Sequence, residues 1–251
     1  MFSSDLAVYV ALGFAAQLVD GALGMAYGLL CTSALLATGA PPAVASASVH
    51  AAEVVTTGLA GGSHLWHRNV DWRLFRRLAL AGVAGGSLGA YVLTELPAAV
   101  VRPLVTAYLL AITALIAWRI FTGRAARQVR ALGVAPVGAA GGFLDAIGGG
   151  GWGPLVTSTL VARGESPRHA VGSASLSEFL VTAAISATFV ATLDLGQFGH
   201  VVLGLIVGGA LAAPLAGWFS RVLPQRALMG AVGLVVGGLA VHGLVRLAGG
   251  G

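Results

Sequence analysis

Asp20-Gly-Ala-Leu-Gly-Met-Ala-Tyr-Gly28 and Asp145-Ala-Ile-Gly-Gly-Gly-Gly-Trp-Gly153 are two versions of one stretch. Each interrupts an apolar segment of thirty-odd residues, 6–38 and 131–163, too long for one comfortable membrane span and too short for two. Every glycine lowers helix propensity by about 1 kcal/mol, so both segments are predicted to open here. Opened backbone is tolerated at membrane depth only where protein or a water-filled cavity surrounds it.

Outward from these stretches the likeness continues. With a shift of 125 residues and no gap, Gly24 meets Gly149, Gly28 meets Gly153, Thr32-Ser33 meets Thr157-Ser158, Pro42 meets Pro167, Ser48 meets Ser173, and Glu53 meets Glu178. A shift of 127 later aligns Leu96-Pro97 with Leu223-Pro224. Apolar composition matches Leu, Ala and Gly by chance, but not Asp, Pro, Ser and Glu together, so the chain is an internal duplication. The halves are 1–121 and 131–251, joined by an Arg-rich linker at 122–130 that is expected to be cytoplasmic.

Composition settles the surroundings. The 251 residues are 57% hydrophobic and 9% charged, with mean hydropathy +0.89. Soluble domains carry about 25% charged residues, which excludes an ordinary soluble enzyme and a disordered chain. The reading is an all-α integral membrane protein. Its net charge of +5 comes from 14 arginines and no lysine against nine acids. Eight single crossings would divide the arginines nine against five. Making 6–38 and 131–163 re-entrant puts twelve on one face and leaves only Arg102 and Arg246 on the other, the better positive-inside split. Each half is then a broken hairpin plus three transmembrane helices, the halves are inverted repeats, and both termini lie outside.

Glu53 and Glu178 are the sharpest chemical signal. Each sits mid-segment, where a charge costs at least about 2.5–3.5 kcal/mol. His50 and Ser175 lie three residues before them, Thr57 and Thr182 four after, so each forms a polar stripe on one helix face. They read as coupling or gating groups for a proton or cation, or else as neutral caps on backbone freed by the breaks. The breaks themselves are the candidate anion site, since a helix starting at mid-membrane presents unpaired N–H groups and a positive dipole end. Gly24 and Tyr27 in the first half, and Gly149, Gly150, Gly151 and Trp152 in the second, would border it. Thr32, Thr157, Ser48, Ser173, Ser175 and His50 would add side-chain donors. Tight packing of small residues is the competing explanation. Asp20 and Asp145 would repel an anion and are read as caps on the loop.

Other patterns fail. Gly148 to Gly153 fits a dinucleotide motif but no strand precedes it, and Gly85-Gly86-Ser87-Leu88-Gly89 fits a hydrolase elbow but reads as a helix-packing face. His64, His67 and Asp71 make only a weak, solvated cluster. No metal, cofactor or nucleic acid is expected, and the lone Cys31 excludes disulfides. The Gly204/Gly208 and Gly233/Gly237 pairs suit internal packing or a homodimer contact equally well.

The paired breaks, the turns Gly39-Ala-Pro-Pro42 and Gly164-Glu-Ser-Pro167, the Ser-rich helix starts and the His64…Asn69-Val70-Asp71 loop resemble the sulfite exporter TauE/SafE family, the 4-toluene sulfonate uptake permeases. The resemblance covers nearly the whole chain. It implies a secondary transporter for a sulfur-containing anion such as sulfite, sulfoacetate or a related organosulfonate, working by alternating access. Uptake of an anion against a negative-inside potential would need a coupled proton or cation, carried by Glu53 or Glu178. A passive anion channel, or a carrier of another small organic anion, is the alternative. The second break follows the family pattern better than the first, where Leu23, Met25 and Ala26 stand for glycines.

Overall fold

The computed structural model describes residues 6–23, 25–122, 133–193, 198–222 and 224–248. Both long apolar segments open where their glycines lie. In the first half, α1 (Leu6–Leu23) ends before the break and α2 (Tyr27–Ala37) follows it. In the second, α6 (Val134–Gly148) gives way to α7, a π-helical turn at Trp152–Thr157 running into an α-helix at Ser158–Ala162. Pro154 lies inside that turn and has no N–H to give to an α-helical ladder. The arms are unequal: α1 has 18 residues and α2 has 11, so α1 is about 27 Å long, close to the thickness of a bilayer core. The break lies past the middle of each segment.

A left-handed glycine ends each second arm, Gly39 at φ 95° and Gly164 at φ 94°. The N–H of Ala40 then bonds to Leu35 and that of Glu165 to Leu160, the same turn repeated 125 residues on. Pro42 and Pro167 open the next helices, where a missing N–H costs nothing. These are α3 (Pro42–Trp66) and α8 (Pro167–Thr192), followed by α4 (Trp72–Glu95), α5 (Ala98–Thr122), α9 (Gly199–Val222) and α10 (Gln225–Ala248). Most of the predicted linker lies outside the described residues.

The halves are interleaved. Helix α1 packs on α9 of the other half, and α6 packs on α4; α3 meets α8, and α5 meets α10. Exchanging the halves maps the α1–α9 contact onto α6–α4, and the α3–α8 and α5–α10 contacts onto themselves. Thr57 and Thr182, equivalent residues, touch at 3.2 Å where α3 meets α8. Glycine makes the close approaches: Gly85 and Gly89 of α4 lie against the backbone of Ala139 and Phe143 on α6, and Gly204 and Gly208 against Tyr9 and Val10 on α1. Gly237 meets Thr113 of α5. The elbow-like glycines and both paired-glycine faces therefore serve packing within the chain.

Candidate functional site

A helix start leaves backbone N–H groups unpaired, and the membrane interior offers no water to take them. Here two aspartates do. Asp20 Oδ1 accepts the N–H groups of Ala26 at 2.8 Å and Tyr27 at 3.2 Å. Asp145 Oδ1 accepts those of Gly151 and Trp152 at 2.8 and 3.2 Å. This matches their reading as caps. The leading donors of α2 and α7, offered above to an anion, are held by the chain's own carboxylates.

The two breaks touch. A methyl group on Gly28 would overlap the carbonyl of Gly149, and one on Gly149 would overlap the Thr32 hydroxyl. Gly149 also sits at φ 67°, a conformation that only glycine adopts freely. Between the breaks lies a void of about 20 Å³, room for one water molecule and too small for a sulfonate. Asp20, Asp145, Glu53 and Glu178 all line it, with Tyr27, Gly28, Gly149 and Gly150, and among the described residues no arginine does. The backbone N–H of Gly28 faces the Glu53 carboxylate.

Behind the void stands His50, fully buried. Its Nδ1 is 2.8 Å from the Ser46 carbonyl oxygen, which can only accept, so Nδ1 carries hydrogen. Ser46 in turn donates its hydroxyl to the carbonyl of Ala146 on α6 at 2.5 Å. The other ring nitrogen, Nε2, lies 3.4 Å from Asp145 Oδ2 and 4.0 Å from Glu53 Oε2.

The structure thus gathers Glu53, Glu178, Tyr27, Gly149 and Gly150 around the void and puts His50 beside it. It does not bring the other candidates there. Trp152 is buried in the core, its indole N–H donating to the Ala174 carbonyl of α8 at 3.0 Å, while Gly151 serves Asp145. The Tyr27 hydroxyl bonds to the Leu205 carbonyl of α9 at 2.9 Å. Ser173 accepts the backbone N–H of Asp71 at 2.8 Å, so it anchors the α3–α4 loop. The Thr32 and Ser48 hydroxyls are buried without a hydrogen-bond partner; neither they nor Thr157 and Ser175 line the void. Gly24 lies outside the described residues. Sequence reasoning passed over Ser46, whose only signal is its position four residues before His50.

Which class of protein carries this site is decided by comparison. The family described as "Sulfite exporter TauE/SafE" matches residues 9–242. The chain belongs to this family. It is also 41% identical over 244 residues to the "Probable membrane transporter protein YtnM" of Bacillus subtilis (strain 168), covering 94% of this chain and 80% of that protein. No solved structure matches it. Five helices among the described residues are long and apolar enough to cross a membrane, so this TauE/SafE chain is a multi-pass membrane protein.

The α3–α4 loop of this TauE/SafE protein is tied down from the other half. Arg168 donates to the Asn69 side chain at 2.5 Å and to the His67 carbonyl at 3.0 Å. His64 bonds to Asn69, so the supposed metal cluster is a hydrogen-bonded turn. Asp71 caps α4, accepting from the N–H groups of Arg73 and Leu74. The Leu74 N–H, then that of Arg73, holds its carboxyl below the usual range against slight burial, helped by His169 and the Arg73 side chain. A carboxyl depressed on folding stabilises above its unfolded pKa, and that contribution is lost as pH falls through the lower folded value. Asp71→Ala is expected to cost about 1 kcal/mol at neutral pH. Thermal unfolding should show the gap between wild type and variant closing below about pH 4.

Proposed function

We propose that the chain is a secondary active transporter that moves a small sulfur-containing anion, sulfite, sulfoacetate or a related organosulfonate, across the bacterial inner membrane. Its membership of the sulfite exporter family and its likeness to a probable membrane transporter favour a transporter over an enzyme. The observation that carries the mechanism is the meeting of two glycine breaks, one from each half, at a void lined by four carboxylates.

In this reading the halves are inverted repeats that rock against each other around the α3–α8 contact, with both termini periplasmic. The small void is an intermediate between outward-open and inward-open forms. Asp20 and Asp145 act as resident anions on the starts of α2 and α7. A substrate anion is repelled while the carboxylates are charged. Cation loading therefore comes first: protonation weakens the hold of an aspartate on its backbone donors, and the substrate takes them over. Glu53, facing Gly28 beside His50, is better placed than Glu178 to carry the proton.

Flux into liposomes tests this. Labelled sulfoacetate, with sulfite as competitor, is expected to enter saturably and faster under an inward proton gradient. Flux that follows voltage alone would make the protein a channel. A lack of uptake of either compound would move the substrate to another anion. Glu53→Gln is expected to remove the gradient's effect, with uptake against pH as the readout, and an unaltered pH profile would exclude Glu53 as the carrier.

A further inference from the structure

We propose that His50, Glu53 and Asp145 form one proton-binding site, assembled from both halves of the chain and present only on one side of the duplication. The case rests on atoms. Nδ1 of His50 is committed to the Ser46 carbonyl at 2.8 Å, so Nε2 is the atom turned to Asp145 Oδ2 at 3.4 Å and Glu53 Oε2 at 4.0 Å. Neither Nε2 nor Asp145 Oδ2 makes a hydrogen bond in the structure. His50 is 0% exposed, Asp145 3% and Glu53 7%. With no proton present, the lone pairs of a neutral imidazole and two carboxylates would face one another away from water. One proton, on Nε2 or on a carboxyl oxygen, converts that repulsion into a bond.

Among the described residues, the surroundings supply no competing cation. Asp20 of α1, Tyr27 and Cys31 of α2 and Glu178 of α8 stand around Glu53, and Tyr108 of α5 stands beside Asp145. Phe189 of α8 covers the imidazole, ring centres 6.3 Å apart. The titratable residues of α4 are exposed, and His200 of α9 is occupied with Tyr9. The equivalent set in the other half is Ser175, Glu178 and Asp20, where a hydroxyl replaces the imidazole. The duplicated fold therefore holds a single such site. His50 and Glu53 belong to the first half and Asp145 to the second, so parting α3 from α6 dismantles it and sets the proton free.

The coupled-transport reading rests on flux, whereas this site is tested by spectroscopy without substrate. Protein labelled with 15N-histidine is placed in lipid nanodiscs, and the His50 signals are assigned by their loss in His50→Gln. Nδ1 is expected to stay protonated throughout, while the Nε2 signal is expected to respond to pH. Asp145→Asn keeps the acceptor for Gly151 and Trp152 and offers Nε2 an amide N–H in place of the proton, so the pH response should be lost. Glu178→Gln should retain it. A wild-type Nε2–H tautomer, an Nε2 signal indifferent to pH, or a response that survives Asp145→Asn would overturn the proposal. The wild-type spectrum can refute it alone, even where a variant fails to fold. Liposomes that take up no anion would remove the transport reading and leave this site standing.

Discussion

Gly28→Ala is expected to abolish uptake and to leave little folded protein. The added methyl would lie within bonding distance of the Gly149 carbonyl and 2.9 Å from Glu53 Oε1. Overpacking a tight interior costs about 1–3 kcal/mol when side chains can yield. Here the obstacle is backbone, and that backbone is the left-handed turn of the opposite break. Relief requires the two breaks to move apart, which also dissolves the void. Thermal unfolding in detergent and flux in liposomes should fall together. Gly62→Ala is the control, because nothing lies within 4 Å of a methyl there; stability should hold or rise by up to about 1 kcal/mol. A Gly28→Ala protein with normal uptake would mean the breaks do not work in contact.

Asp145→Ala comes next in size, and its contrast with Asp145→Asn separates two roles of one side chain. Alanine strips the acceptor from two buried N–H groups, those of Gly151 and Trp152. Each buried donor left unpaired costs about 1–3 kcal/mol. Melting temperature should drop sharply with alanine and little with asparagine, which preserves the accepting oxygen. Uptake driven by a proton gradient should fail in both, because asparagine cannot give up or take a proton. Equal melting temperatures for the two variants would mean that the cap contributes nothing.

Much of this was legible in the sequence because duplication writes its evidence twice. The breaks at 24–26 and 149–151, the helix starts at Pro42 and Pro167, and the acids at 53 and 178 each appear with a partner that chance does not supply. What stayed hidden depends on how one half is rotated against the other. Ser173 looked like the equal of Ser48, yet it binds Asp71, a residue 102 positions away. Trp152 looked like an aromatic wall and is a core residue locked to Ala174. His50 entered as a polar neighbour of Glu53 and a donor to the anion; its meeting with Asp145 needs α3 to cross α6, which no spacing within either helix reveals. The aspartates were read as caps, but not as competitors for the donors a substrate would need.

The interleaving has a consequence for how the chain is made. Helix α1 leaves the ribosome first, yet the glycine-lined face it fits belongs to α9, which begins at Gly199. For most of synthesis α1 must wait in lipid or beside the insertion machinery, with Gly13 presenting a notch that only the Leu205 backbone fills. Neither half closes its own core, so a chain stopped after α5 lacks the principal native partner of both α1 and α4. Assembly is settled late and all at once. The same dependence would let two separately synthesised halves find each other, since each carries the docking faces the other lacks.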